Sequence, residues 1–195
     1  MSITRRLQTG AALDVRSQRT REALMAALLV LLQEQSFEQV TIRGITMRAH
    51  IGYATYFRHF SSKEALLGEI ASAEIAALLA MTTPLLAAAN SAKSSLALCR
   101  WIAERRALWS VLLTGGAADP VRREFIRQAR ELPASSAAPA AWLPADLAVV
   151  HGAGGTIDLL AWWLTQEKGF SVERIAAILD RLIVTPLLDA GTERS

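Results

Sequence analysis

Residues 41–67 constrain the fold of this 195-residue chain more than any other stretch: Thr41-Ile-Arg-Gly-Ile-Thr-Met-Arg-Ala-His-Ile-Gly-Tyr-Ala-Thr-Tyr-Phe-Arg-His-Phe-Ser-Ser-Lys-Glu-Ala-Leu-Leu67. Thr41 suits an N-cap, and Ile42, Ile45 and Met47 supply the inward side of a short helix. Ala49-His50-Ile51 reads as a tight turn, and Gly52 to Arg58 as a second short helix. Ser61-Ser62-Lys63-Glu64 fits a capping box that opens a third: Ser61 accepts from an early amide while Glu64 reaches back. Two short helices at a steep angle, the second carrying exposed polar and aromatic side chains, make a helix-turn-helix.

Such a pair presents its second helix to the major groove of DNA. The stretch resembles the N-terminal DNA-binding domain of TetR-type transcriptional repressors, whose pattern is Thr-x-x-x-Ile-Ala, a Gly-Val turn, Thr-Leu-Tyr-x-His-Phe and Ser-Lys-Glu-x-Leu. Thr41 and Ile45, Thr55 through Phe60, and Ser62 through Leu66 carry the resemblance, within residues 19–70. Three positions depart from the pattern. His50 stands where the family has glycine, at a position expected to need positive φ; histidine tolerates that region better than most residues with a Cβ. Tyr56-Phe57 reverses the family's order, so the hydroxyl that touches phosphate is missing at position 57 and Tyr56 falls at an inward position. Thr46 replaces an alanine.

The resemblance implies DNA contacts from Thr41, Arg43, Gly52, Tyr53, Ala54, Thr55, Phe57, His59 and Lys63. Tyr53 and Ala54 are expected to face base edges or a thymine methyl, and Thr55 a base or a phosphate. Thr41 and Arg43 lie where helix-start amides and a guanidinium attract backbone phosphate. His59 and Lys63 are expected to meet phosphates at the rim, and Phe57 to contribute van der Waals contact.

Charge distribution agrees with that placement. Residues 1–65 hold nine Lys/Arg against five Asp/Glu, in a chain whose net charge is only +3. The basic excess therefore shares a third of the chain with the helix-turn-helix. A single cysteine, Cys99, rules out an internal disulfide framework and suits a reducing cytoplasm. No apolar run is expected to be long enough to span a bilayer, and residues 1–18 lack the apolar core of a secretory signal. Neither a cofactor nor a metal is called for, because His50, His59 and His151 lack ligand partners at metal spacing. Gly152-Ala-Gly-Gly155 does not follow a strand, so it is read as helix packing rather than as a phosphate loop. No residue set reads as catalytic, and the chain is not read as an enzyme.

The expected fold is all-α: a flexible tail over 1–16, a three-helix helix-turn-helix domain over 17–65, and a C-terminal helical bundle over 66–195 for ligand binding and dimerisation. The first helix is expected from Ser17 or Thr20 to Gln35. Later helices are expected at Ser62 to Met81, Lys93 to Leu113, Asp119 to Leu132, Ala145 to Lys168 and Val172 to Leu188. A proline-rich connector, 133–144, separates two of them. Apolar residues all around the last two helices suggest a four-helix interface with a second copy, with Gly152, Gly154 and Gly155 allowing close approach. The family resemblance further implies a small-molecule effector in the body; Cys99, Trp101, Arg105, Trp109, Phe125, His151 and Trp163 are its candidate liners. The combined expectation is a dimeric repressor released from an inverted-repeat operator in double-stranded DNA by that effector. The alternative is a helical dimerisation or scaffold protein whose basic N-terminal region binds nucleic acid without sequence preference.

Overall fold

Leu24, Ala27, Leu28, Leu31 and Leu32 recur at the spacing of one helix face, and all five are buried. They lie on α1, Ile3–Glu34. The computed structural model describes residues 3–87, 90–115, 118–132, 142–166 and 170–188, without the side chains of 3–14 and 87. Expected features at 133–141 and Gly169 lie outside the described residues. Among those residues all regular structure is helical, and the chain divides into two compact units, Met1–Ile70 and Ala71–Ser195.

In the first unit, α1 begins well before the expected Ser17. The intervening segment contains no proline, and Ala11, Ala12 and Leu13 are strong helix formers. Short α2 (Ile42–Arg48) and α3 (Tyr53–Tyr56) follow, and α4 starts at Lys63. Val40, Ile45, Tyr56, Phe60, Leu66, Leu67 and Ile70 join the α1 leucines in one small core. Each fully buried aliphatic side chain there contributes about 1.5–3 kcal/mol. Met47, expected inward, is 69% exposed, because α2 turns only Ile45 and Thr46 fully into the core. The cap of α4 is Ser62 rather than Ser61: its Oγ accepts from Ala65 N at 3.1 Å.

In the second unit, α4 (Lys63–Ala87) passes through Pro84 rather than ending at Met81. A helix expected from Lys93 is two, α5 (Ser91–Glu104) and α6 (Arg106–Thr114). Arg105 breaks the run at φ −118°, ψ 33°. Its guanidinium stacks 3.6 Å from the Trp101 ring centroid and pairs with Glu74 at 3.5 Å. Then come α7 (Ala118–Arg130), α8 (Ala145–Thr165) and α9 (Val172–Leu179), the last capped by Ser171 as expected. A π-helical turn, Asp180–Val184, and a short α10, Thr185–Leu188, take the place of a continuous final helix. α5 packs on α9, and α8 packs on α6 and α7.

The glycines of α8 are filled within the chain. A Cβ on Gly152 would meet Leu187 Cδ1 at 2.8 Å, and one on Gly155 would meet Ile183 Cδ1 at 3.2 Å. At Gly154 the Arg122 guanidinium of α7 takes the space, so the room expected to serve another subunit is filled by α7, α10 and the π-turn of the same unit. Two helices, Lys63–Leu86 and Ala145–Thr165, are long and apolar enough to cross a membrane by length and composition alone, with 44% and 39% of their most apolar stretches buried inside the protein. In α8, Ile157, Leu160, Trp163 and Leu164 are buried, while Leu147 and Trp162 stay exposed.

Candidate functional site

α2 opens on Thr41, whose Oγ1 accepts from Gly44 N at 3.0 Å. It closes in a Schellman motif: Ile51 N donates to Thr46 O at 2.9 Å and His50 N to Met47 O at 3.2 Å. Such a motif requires a left-handed residue at the position of His50, which has φ 54°. The reversal after α2 therefore uses a histidine where glycine carries no steric cost, as the sequence suggested. The buried Thr46 hydroxyl donates to Arg43 O at 3.0 Å, so the alanine-to-threonine departure leaves no unsatisfied group.

Gly52 caps α3, which covers only Tyr53–Tyr56 rather than extending to Arg58. Beyond it, His59 N and Phe60 N both donate to Tyr56 O at 2.9 Å, so the winding collapses into turns. Tyr56 is fully buried, and its hydroxyl donates to Ser62 O at 2.9 Å. Burial, reinforced by the Glu64 charge, pushes its pKa up to about 12. The reversed Tyr-Phe order thus has a local use, since the inward ring carries a hydroxyl that ties α3 to the start of α4. Phe57 is left 48% exposed and Tyr53 55% exposed, their rings edge to face at 5.3 Å. Thr41, Arg43, Gly52 and Ala54 are also exposed, while Thr55 and His59 are half-buried.

Lys63, expected at the phosphate rim, has its ammonium engaged within the head. Its ammonium donates to Phe37 O at 2.8 Å, Val40 O at 3.0 Å and Glu38 O at 3.2 Å, and lies 4.6 Å from the Phe37 ring centroid. All three hydrogens are spent on the loop between α1 and α2. Arg21 is likewise committed, paired with Glu69 and lying 4.9 Å from the Phe60 ring centroid. Arg48 pairs with Glu34 at 2.9 Å. Among the described residues, Arg43 and Arg58 are exposed on the same segment with no ion-pair partner.

Residues 24–70 match the family of bacterial regulatory proteins called the tetR family. Over those residues the chain carries a TetR-family helix-turn-helix domain. The HTH-type transcriptional regulator YxbF of Bacillus subtilis strain 168 is 45% identical to it over 56 residues, 28% of this chain and 15% of that relative. The all-helical fold as a whole resembles solved TetR-type structures. A regulator from Streptococcus agalactiae superposes with TM-score 0.61 at 20% identity, over 89% of this chain and 98% of that one. The multidrug-binding protein EbrR, complexed with imidazole, gives TM-score 0.62 at 16% identity, over 90% and 98%. Thermus thermophilus FadR, a repressor in complex with lauroyl-CoA, gives 0.59 at 18% identity, again over 90% and 98%.

Within the second unit of this TetR-type chain, a cavity of about 640 Å³ lies among α4, α5, α7, α8, the π-turn and α10. Of the residues expected to line a ligand site, Phe125 alone is in its wall. Cys99 is fully buried, and burial pushes its thiol up to about 12. Trp101 donates to Glu74 Oε2 at 2.8 Å beneath the Arg105 guanidinium. Trp109 is 1% exposed in the core; Trp163 is buried and its Nε1 donates to Phe170 O at 3.4 Å. His151 is exposed. The large side chains fill space, whereas the cavity opens where small ones meet: Thr82 and Thr83, Ser94 and Ser95, Gly152 and Ala153. That pairing of small residues across helices is the signal the sequence reading passed over.

Proposed function

We propose that this TetR-family DNA-binding regulator acts in the cytoplasm as a homodimeric repressor. Two heads would read an inverted repeat, and an effector in the body cavity would release it. The observation carrying the DNA reading is the exposed Tyr53–Phe57 aromatic pair on α3, immediately after the His50 turn. Tyr53 and Ala54 are assigned to bases, Thr55 to a base or phosphate, and Thr41, Arg43 and His59 to phosphates. Gly52 allows close approach at the start of α3, and Phe57 supplies van der Waals contact. Lys63 is assigned to holding the α1–α2 loop, on the strength of its three carbonyl bonds.

Exposed Leu147, Trp162 and Leu182 support dimerisation through the last helices. Two heads would then meet successive major-groove faces about 34–36 Å, or a multiple of a turn, apart. The effector role is supported by the cavity and by the ligands bound to EbrR and FadR. An effector shifts DNA occupancy only through its differential affinity for DNA-competent and DNA-incompetent dimers.

The test is a gel shift against a palindromic site selected from random DNA, with competitor present. One preferred site and a log–log salt slope near −0.9 per phosphate neutralised are expected. Tyr53→Ala should cost about 1–3 kcal/mol of specific binding with little change in non-specific binding. Equal affinity for every competitor would sink the repressor reading in favour of a non-specific helical scaffold.

A further inference from the structure

Among the described residues, the cavity wall has two ionisable side chains, Arg130 and Asp146, and they neutralise each other. Arg130 Nε donates to Asp146 Oδ1 at 2.7 Å and its Nη2 to Oδ2 at 3.1 Å, a bidentate pair. Both side chains are about half or more exposed to solvent, at 49% and 70%, so the pair sits at an open edge of the cavity. Five hydroxyl side chains line the wall, those of Thr82, Thr83, Ser94, Ser95 and Thr156, and Ser95 and Thr156 are both buried. The Thr82 hydroxyl is spent on Leu78 O at 2.9 Å, and the Ser94 hydroxyl on Thr82 O at 3.2 Å. Ser95 is 2% exposed, and among the described residues its Oγ has no hydrogen-bond partner. A buried hydroxyl left in that state is one to which a ligand atom can add a bond without breaking another.

We infer that the cavity takes an uncharged, mainly hydrocarbon molecule with a single hydrogen-bonding group, which pairs with Ser95, and that it discriminates against anionic and cationic heads. The proposal rests on reading the cavity as the effector site. A charged head drawn past that edge, down to Ser95, would lose water without gaining a counter-charge, since the guanidinium and carboxylate in the described wall already satisfy each other. A single torsion sets the serine hydroxyl among its staggered wells, so it can turn to a bound polar atom without moving the helix.

Calorimetry on the full chain, without DNA, with 1-octanol, octanoate and octylamine at neutral pH tests this. Octanol should bind, and the two charged chains at least about tenfold more weakly, a difference of about 1.4 kcal/mol. Ser95→Ala should weaken octanol about tenfold while the melting temperature of the unliganded protein holds or rises. Asp146→Asn should leave octanol unchanged and strengthen octanoate about tenfold, because Arg130 is then unneutralised. Octanoate binding wild type as tightly as octanol, or none of the three binding, would overturn the ligand class. An Asp146→Asn protein with unaltered octanoate affinity would overturn the charge argument, and unaltered octanol binding by Ser95→Ala the serine assignment. Operator release is scored separately by gel shift. Octanol that binds but does not release DNA would sink the effector role and leave the ligand class standing.

Discussion

Around His50 the backbone turns through the left-handed region, φ 54°, while both Schellman bonds form. The Cβ there crowds the neighbouring carbonyl, a cost that glycine avoids. His50→Gly also enlarges the unfolded ensemble, so only part of the strain relief survives as stability. The net gain expected is about 0.5–1 kcal/mol, read as a raised denaturant midpoint with an unchanged slope. A lowered midpoint would mean that the imidazole holds the turn in some other way. Lys63 gives a sharper contrast, because a phosphate ligand and a loop clamp predict different losses. Lys63→Met should destabilise the fold by about 1–3 kcal/mol, since two part-buried carbonyls and an exposed one lose a charged donor. The salt slope of DNA binding should stay the same, whereas a drop of about one unit would return Lys63 to the phosphates. At this scale the sequence was legible where one residue's conformation decides the outcome, as with His50 and the inward Tyr56. It was not legible at Lys63, whose long stem reaches carbonyls 23 to 26 positions away in the chain.

Helix boundaries follow the same division. Ser171, a cap whose Oγ accepts from Arg174 N at 3.2 Å, is a local feature and was readable from sequence. The break at Arg105 was not, because its cause lies on α4, where Glu74 accepts from Trp101 and pairs with the guanidinium stacked on that ring. Nor was the π-turn, whose Ile183 and Val184 form part of the cavity wall. Between α4 and α7 a polar cluster has a pH signature. Glu124 accepts from Arg127, Gln128 and Ser72, and these donors, Arg127 above all, hold its carboxyl down at about 2. The unfolded chain takes up this proton near the ordinary carboxylate value, about 4.3. Across the interval between, the folded state binds fewer protons, so stability falls as pH drops through it. Glu124→Gln should therefore be less stable than wild type above about pH 5, with the gap closing as the pH approaches 2. Urea titrations at several pH values measure this; a gap independent of pH would remove the ionic account.

For the molecule as a whole, the sequence indicated helices too apolar to be wet on every side, but not which apolar residues face their own chain. Gly152 and Gly155 are taken up internally by Leu187 and Ile183, whereas Leu147 and Leu182 are left 52% and 66% exposed. Pairing across chains depends on that remainder, which no periodicity can apportion. If a second copy covers it, a charge there must be desolvated in the dimer while remaining hydrated in the monomer. Leu147→Arg with Leu182→Arg should then give a monomer by sedimentation at concentrations where wild type is dimeric. Exposed positions ordinarily change monomer stability by only about 0.5 kcal/mol each, so a folded, helical monomer is expected rather than an aggregate. Such a monomer brings one head to the operator instead of two. Its salt slope should be about half that of wild type, because half as many phosphates are neutralised. Specific affinity should fall more steeply than the slope alone requires, since the second half-site is no longer delivered at the effective concentration that linkage provides. A double variant that sediments as a dimer would place the interface elsewhere on the chain, and an unchanged slope in a proven monomer would mean that one head accounts for all of the measured binding.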